Sequence, residues 1–221
     1  MKVLVIGASR GIGLEFVRQY RAAGATVIAT ARSEEALATL RALGAKALAL
    51  DVADAASASG LAWQIDGSAF DVAVVCAGVY GPDTSGLQPP TETDFDAVMH
   101  TNVLGPMRVI PQIAEYLAPG AKLIVLSSRM GAIGPRVSAS GWLCRASKAA
   151  VNSVMKDASL VLKGRATCAS FHPGWVRTDM GGSGADIEVS DSVAQMRRVI
   201  AGLTPAHNGR FFDHDGTPID W

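Results

Sequence analysis

Cys144 and Lys148, four positions apart in Gly141-Trp142-Leu143-Cys144-Arg145-Ala146-Ser147-Lys148-Ala149-Ala150, pose the chemical question of this chain. On a helix, residues i and i+4 share a face, so this spacing sets a thiol beside an ammonium. A free thiol has a pKa of about 8.5, and a nearby cation lowers it further. The second constellation is Gly7-Ala8-Ser9-Arg10-Gly11-Ile12-Gly13-Leu14, directly after the apolar run Val3-Leu4-Val5-Ile6. Glycines at that spacing permit a tight strand-to-helix turn. They also let the backbone approach a pyrophosphate, whose charge is favoured at a helix N-terminus. Gly7, Ser9, Arg10, Gly11, Ile12 and Gly13 are therefore the expected phosphate-binding turn of a dinucleotide site.

The second predicted strand ends in Thr30-Ala31-Arg32, with no carboxylate until Glu34. An acidic residue there would bind the ribose hydroxyls of NAD. Arg32 and Arg10 suit a 2′-phosphate instead, because a guanidinium matches phosphate geometry. The expected cofactor is NADP(H) in preference to NAD(H); the plainer reading of both arginines is a solvated surface.

The elements that must carry these groups alternate along the chain. Runs at 3–6, 26–29, 47–50, 72–75, 123–126 and 167–171 read as strands, most of them continuously apolar as in a parallel sheet buried on both faces. Stretches at 12–23, 34–43, 55–64, 93–117 and 143–162 have helical spacing. Gly105, Pro106 and Pro111 predict a kink or interruption in the fourth of these. Strand–helix alternation implies right-handed crossovers and an α/β doubly wound parallel sheet with helices on both faces. No linker, repeat or low-complexity tract divides the 221 residues, so a single domain over 1–221 is expected. The patches at 81–90 and 181–186 read as loops over a site.

Composition excludes several classes of function. Twenty basic and twenty acidic residues cancel, leaving no electrostatic pull toward nucleic acid or an anionic membrane. The opening apolar run is too short for a signal-peptide core or a membrane span, which makes the cytoplasm the default compartment. Cys76, Cys144 and Cys168 are odd in number and far apart, so reduced thiols are expected. His100, His207 and His214 lack metal-ligand spacing with the cysteines or carboxylates, and no metal is expected. His172 reads as a hydrogen-bonded strand-end residue.

In this order the motifs resemble the short-chain dehydrogenase/reductase family over essentially the whole chain. Asp51-Val52 sits where the family closes over the adenine ring. Cys76-Ala77-Gly78 stands where Asn-Ala-Gly is typical, and Cys76 there would serve as a small buried hydrophobe. Asn102 matches the active-site asparagine, and of Ser127-Ser128 the second matches the catalytic serine. Lys148 matches the lysine that binds the nicotinamide ribose. Pro173, Gly174, Val176 and Thr178 lie in the segment that flanks the nicotinamide. The chain length, the insertion between Ser128 and Lys148, and the ending from Gly216 to Trp221 are most similar to the small carbonyl-reductase branch. The resemblance implies a single Rossmann-type domain of about seven strands, hydride transfer between NADP(H) and a small carbonyl or alcohol, and a homodimer or homotetramer. Pairing would use the helices after the fourth and fifth strands, where Ala149, Ala150, Ser153 and Ala158 form a small-residue surface.

Cys144 departs from the family, which has a proton-donating tyrosine four residues before the lysine. A phenol extends several bonds of roughly 1.5 Å beyond the reach of a thiol on the same Cα. A thiol acidified by Lys148 would also be a thiolate, which donates no proton. General acid catalysis contributes about 10²–10⁴-fold, so a loss at least that large is expected. The other tyrosines are Tyr20, Tyr80 and Tyr116; Tyr20 should be remote, and Tyr80 is nearer without a spacing that sets it beside Lys148. Three readings stay open. The chain is an oxidoreductase impaired by a Tyr-to-Cys change, a dinucleotide-binding sensor or scaffold without turnover, or an enzyme using the thiol itself as acid or nucleophile. Met130, Ile133, Trp142 and the loops at 79–90 and 179–187 are the expected lining of an apolar substrate pocket.

Overall fold

The computed structural model describes residues 1–84 and 86–221; residue 85, within the loop expected over 81–90, lies outside the described residues. Seven strands form one parallel sheet in the order β3-β2-β1-β4-β5-β6-β7. They are β1 (Lys2–Ile6), β2 (Thr26–Ala31), β3 (Lys46–Ala49), β4 (Phe70–Val75), β5 (Leu117–Leu126), β6 (Ala166–His172) and β7 (Arg210–Asp213). The helices are α1 (Gly11–Ala22), α2 (Glu34–Ala42), α3 (Ala55–Ser59), α4 (Leu61–Gln64), α5 (Glu92–Met99), α6 (Gly105–Ala114), α7 (Trp142–Val161) and α8 (Val189–Gly202).

The continuous apolar strands are explained by two cores, one on each face of the sheet. Successive strand residues point to opposite faces, and β1 divides accordingly. Val3 and Val5 pack with Phe16, Tyr20, Leu37, Leu40, Met196 and Ile200 under α1, α2 and α8. Leu4 and Ile6 pack with Leu61, Ile65, Val109, Ile113, Val151 and Met155 under α4, α6 and α7. A fully buried side chain of this size contributes about 1.5–3 kcal/mol, so both layers hold the sheet rigidly beneath the site.

The sequence-based elements hold with two local differences and two omissions. The stretch at 55–64 divides into α3 and α4 around Gly60. The interruption expected in 93–117 is a π-helical turn at His100–Leu104, between α5 and α6, and it ends at Gly105-Pro106. Pro111 sits inside α6. Helix α8 and strand β7 were absent from the sequence reading. The apolar spacing Val189, Val193, Met196, Ile200 carries the signal for α8; four residues are too few to announce β7. The chain winds outward from β1 to β3, then crosses back to β4. The crevice beyond the C-terminal ends of β1 and β4 is thus the switch point where such sheets bind ligands.

Candidate active site

The glycine turn after β1 lies at that switch point. Gly7 has φ +83°, and a Cβ there would stand 2.7 Å from the Cα of Ala77 on the loop after β4. A Cβ at Gly13 would run into the carbonyl oxygen of Gly7. The Gly7 N–H donates to Thr30 Oγ1 at 3.0 Å, which fixes the turn against β2. Arg10 caps α1 in an extended conformation without a side-chain hydrogen bond to the helix amides, and the first turn holds no acid. The first amides of α1 are left facing the cleft, as a pyrophosphate requires. This cradle, which side chains would fill, fits a dinucleotide.

The cleft has a volume of about 1280 Å³, above the ~300–1,000 Å³ usual for one small ligand. Gly7, Ser9, Arg10, Gly11, Ile12, Gly13, Arg32, Asp51, Val52, Cys76, Ala77 and Gly78 line it from the β1–β4 side. Pro173, Gly174, Val176 and Thr178 line it from the loop after β6. Arg10 lies 2.5 Å from Asp179, and Arg32 lies 3.8 Å from Asp51, all at the exposed rim. A 2′-phosphate at this rim would meet two guanidinium groups already oriented by carboxylates. Cys76 is half-buried against the core under α1, where burial raises its pKa well above the ordinary thiol value.

The polar groups expected to do chemistry converge on the other end of the cleft. Lys148, on α7, donates from Nζ to the Leu126 carbonyl at 2.9 Å, and burial lowers its pKa. Ser127 is buried; its N–H donates to the Phe171 carbonyl at 2.8 Å and its hydroxyl to the Lys148 carbonyl at 3.4 Å. Ser128 accepts from the Met130 N–H at 3.1 Å, which leaves its own hydroxyl proton for a ligand in the cleft. Asn102 is fully buried behind the cleft, where its Oδ1 and the Lys148 Nζ each lie 3.3 Å from the point where a Cβ of Gly78 would stand. Its amide accepts from the Val79 N–H and donates to the Val79 carbonyl, both at 2.8 Å, and donates to Ser147 Oγ at 2.9 Å. The π-helical turn points it there, and it acts as a clamp on the loop after β4.

Cys144 lines the cleft on the same helix face as Lys148 and is 5 % exposed. Here the expectation of an acidified thiol is overturned. Burial raises its pKa by more than Lys148 and Arg145 lower it. The thiol is protonated at neutral pH, so its short reach remains its only defect as an acid. Alkylation of Cys144 by iodoacetamide, followed by peptide mass spectrometry, is expected to accelerate still above about pH 8.5. A rate already level at neutral pH would show a thiolate and contradict this assignment.

Other expectations change as well. His172 has a buried Nδ1 with no hydrogen-bond partner among the described residues, so it is not the bonded strand end expected. Pairing of β6 with β7 sets it beside Asp213; burial pushes its pKa down to about 4, and it is neutral. Asp213 is bonded by Arg129 and by His214, and these bonds outweigh burial and hold its carboxyl below the usual range. Met130 lines the cleft, but Ile133 is largely exposed and Trp142 lies outside the lining. The loops contribute Val79, Tyr80 and residues 179–181. Residues 135–138 and the C-terminal residues 217–220 complete the lining. They were missed because neither segment carries a motif. Ala158 packs against the core beneath α7 rather than joining a small-residue surface.

Comparison with known proteins gives a consistent result. A family model described as short chain dehydrogenase matches residues 1–187. The chain is 38% identical over 154 residues to the C-signal of Myxococcus xanthus, covering 68% of this chain and 92% of that protein. It superposes on a short-chain dehydrogenase/reductase of Burkholderia multivorans with bound NADP at a TM-score of 0.90, with 29% identity and coverage of 100% and 99%. NADPH-bound carbonyl reductase from chicken fatty liver aligns at a TM-score of 0.85, with 28% identity and coverage of 100% and 98%.

Proposed function

Because the chain belongs to the short-chain dehydrogenase family, an oxidoreductase family, we propose that it is NADP(H)-dependent, interconverts a small carbonyl compound and a secondary alcohol, and is slowed at proton transfer by Cys144. One observation carries this reading: the glycine turn, Ser128 and Lys148 open onto a single cleft at the switch point of the sheet. Bound reduced nicotinamide would supply hydride to a carbonyl carbon. Ser128 would donate its hydroxyl to the carbonyl oxygen and so orient the substrate. Lys148, held by the Leu126 carbonyl, would bind the nicotinamide ribose. Asn102 keeps the Val79 segment, one wall of the cleft, in place.

The NADP and NADPH in the two related structures support the choice of cofactor, as do Arg10 and Arg32 at the rim. Replacing both arginines with alanine is expected to weaken NADPH binding about tenfold or more while NADH binding changes little. Fluorescence titration with each cofactor measures this; equal losses for the two would remove the 2′-phosphate assignment. The oxidoreductase reading is tested by NADPH oxidation over benzaldehyde, acetophenone and diacetyl. Self-association through α6 and α7, and residence in the cytoplasm, belong to the same proposal. Among the described residues no helix is long and apolar enough to cross a membrane.

A second reading, a dinucleotide-binding protein without turnover, is favoured by the short, protonated thiol at the acid position. NADPH bound without consumption by any variant would select it.

A further inference from the structure

The cleft holds a phenol that the motif reading left without a role. Tyr80 follows Val79, and both backbone groups of Val79 are clamped by Asn102. The same loop is tied to the start of α7 by the Gly141 N–H, which donates to the Thr84 carbonyl at 3.0 Å. Gly141 has no side chain, and the Tyr80 hydroxyl occupies the space this leaves. It lies 2.7 Å from the point where a Cβ of residue 141 would stand, and the Met130 methyl lies 3.0 Å from that point. Cys144, three residues on, lies in the first turn of α7, which Gly141 caps. Helical side chains lean toward the N-terminus and cover the preceding turn. The Tyr80 hydroxyl therefore sits over the turn toward which a long side chain at 144 would extend. Tyr80, Cys144, Ser128 and Lys148 all line the one cleft.

Resting on the oxidoreductase reading above, we infer that Tyr80 is the proton donor of this chain, supplying from the loop after β4 the phenol that α7 lacks at position 144. In carbonyl reduction the Tyr80 Oη–H bond breaks and its proton goes to the substrate oxygen. The carbonyl carbon takes the hydride of the reduced dinucleotide, and the phenolate regains a proton from solvent at the mouth of the cleft. The charged and titratable groups facing Tyr80 are Cys144 and Arg145 from α7 and Asp83 from its own loop. Burial, Cys144 and Asp83 raise the phenol pKa while Arg145 lowers it. The group is thus a protonated donor at neutral pH, with a cation near the phenolate it leaves.

The test is Tyr80→Phe, made in the parent chain and in a chain carrying Cys144→Tyr. In the parent, kcat for NADPH-dependent reduction of diacetyl is expected to fall at least about 10²-fold. With Cys144→Tyr present the same change should cost at least about tenfold less, because the two phenols are alternative donors. A second readout needs no turnover. Binding of benzyl alcohol to the NADPH complex, followed by NADPH fluorescence, should weaken about 2–10-fold on loss of one hydrogen bond. NADPH affinity itself should stay unchanged and report an intact fold. Equal losses in both backgrounds, or no loss in the parent with unaltered alcohol binding, would overturn the role of Tyr80. Turnover confined to Cys144→Tyr would also overturn it and leave the oxidoreductase reading standing. No turnover in either chain, with NADPH still bound, would remove both.

Discussion

Cys144→Tyr is expected to raise kcat for carbonyl reduction by about 10²–10⁴-fold, the range that a positioned general acid contributes. The surroundings are already assembled. Lys148 stands one helical turn away with Nζ anchored on the Leu126 carbonyl, and Ser128 faces the same cleft. The thiol keeps its proton, so the deficit to be repaired is reach rather than ionisation. A donor at Tyr80 places the gain toward the lower end of the range. The larger ring must displace neighbours of a residue that is only 5 % exposed, at a cost of about 1–3 kcal/mol and a lower melting temperature. Steady-state NADPH oxidation reads the effect. The KM for NADPH should change little, because position 144 contributes nothing to the glycine turn that would hold the pyrophosphate.

Gly13→Ala is expected to have the second large effect, on cofactor binding. Its Cβ would collide with the Gly7 carbonyl oxygen and meet the Ala8 Cα at 3.0 Å, both of them backbone that cannot swing aside. The turn must open, which costs about 1–3 kcal/mol of stability and turns the α1 amides away from the phosphates. Losing two charge-assisted hydrogen bonds, each contributing about 1.5–3 kcal/mol, weakens NADPH at least about 10²-fold. Equilibrium fluorescence titration beside a thermal melt separates the two effects. A variant that binds NADPH like the parent would show that the pyrophosphate does not lie on this turn.

The residues best read from sequence are those whose role is set by local backbone. Gly7 and Gly13 announce the turn because only a residue without a Cβ fits against Ala77 and the Gly7 carbonyl. The buried strands announce themselves by unbroken apolar runs, since β1 feeds a separate core on each face. Lys148 and Cys144 were placed together by helical spacing alone. What long-range packing decides was less legible. The protonation of Cys144 depends on burial, which spacing does not show, and the sequence pointed to the opposite shift. The clamp that Asn102 forms on Val79 was not legible, because the π-helical turn that points it there has no sequence signature of its own. Tyr80 came near the active helix through the Asn102 clamp and the missing side chain at Gly141, two features more than 20 residues and 60 residues away along the chain respectively. The C-terminal residues 217–220 reached the cleft only because β7 adds to the sheet edge beyond β6.

The central claim, that this cleft transfers hydride from NADPH to a carbonyl carbon, is tested most directly with isotope. NADPH deuterated on one face of the nicotinamide is incubated with acetophenone and the Cys144→Tyr chain, and the 1-phenylethanol is analysed by mass spectrometry. Deuterium is expected at the carbinol carbon from one face of the cofactor only, slowly with the parent chain and rapidly with the variant. Bound NADPH with no deuterium in the alcohol from either chain would contradict it, and the cleft would then be a dinucleotide-binding site without this chemistry.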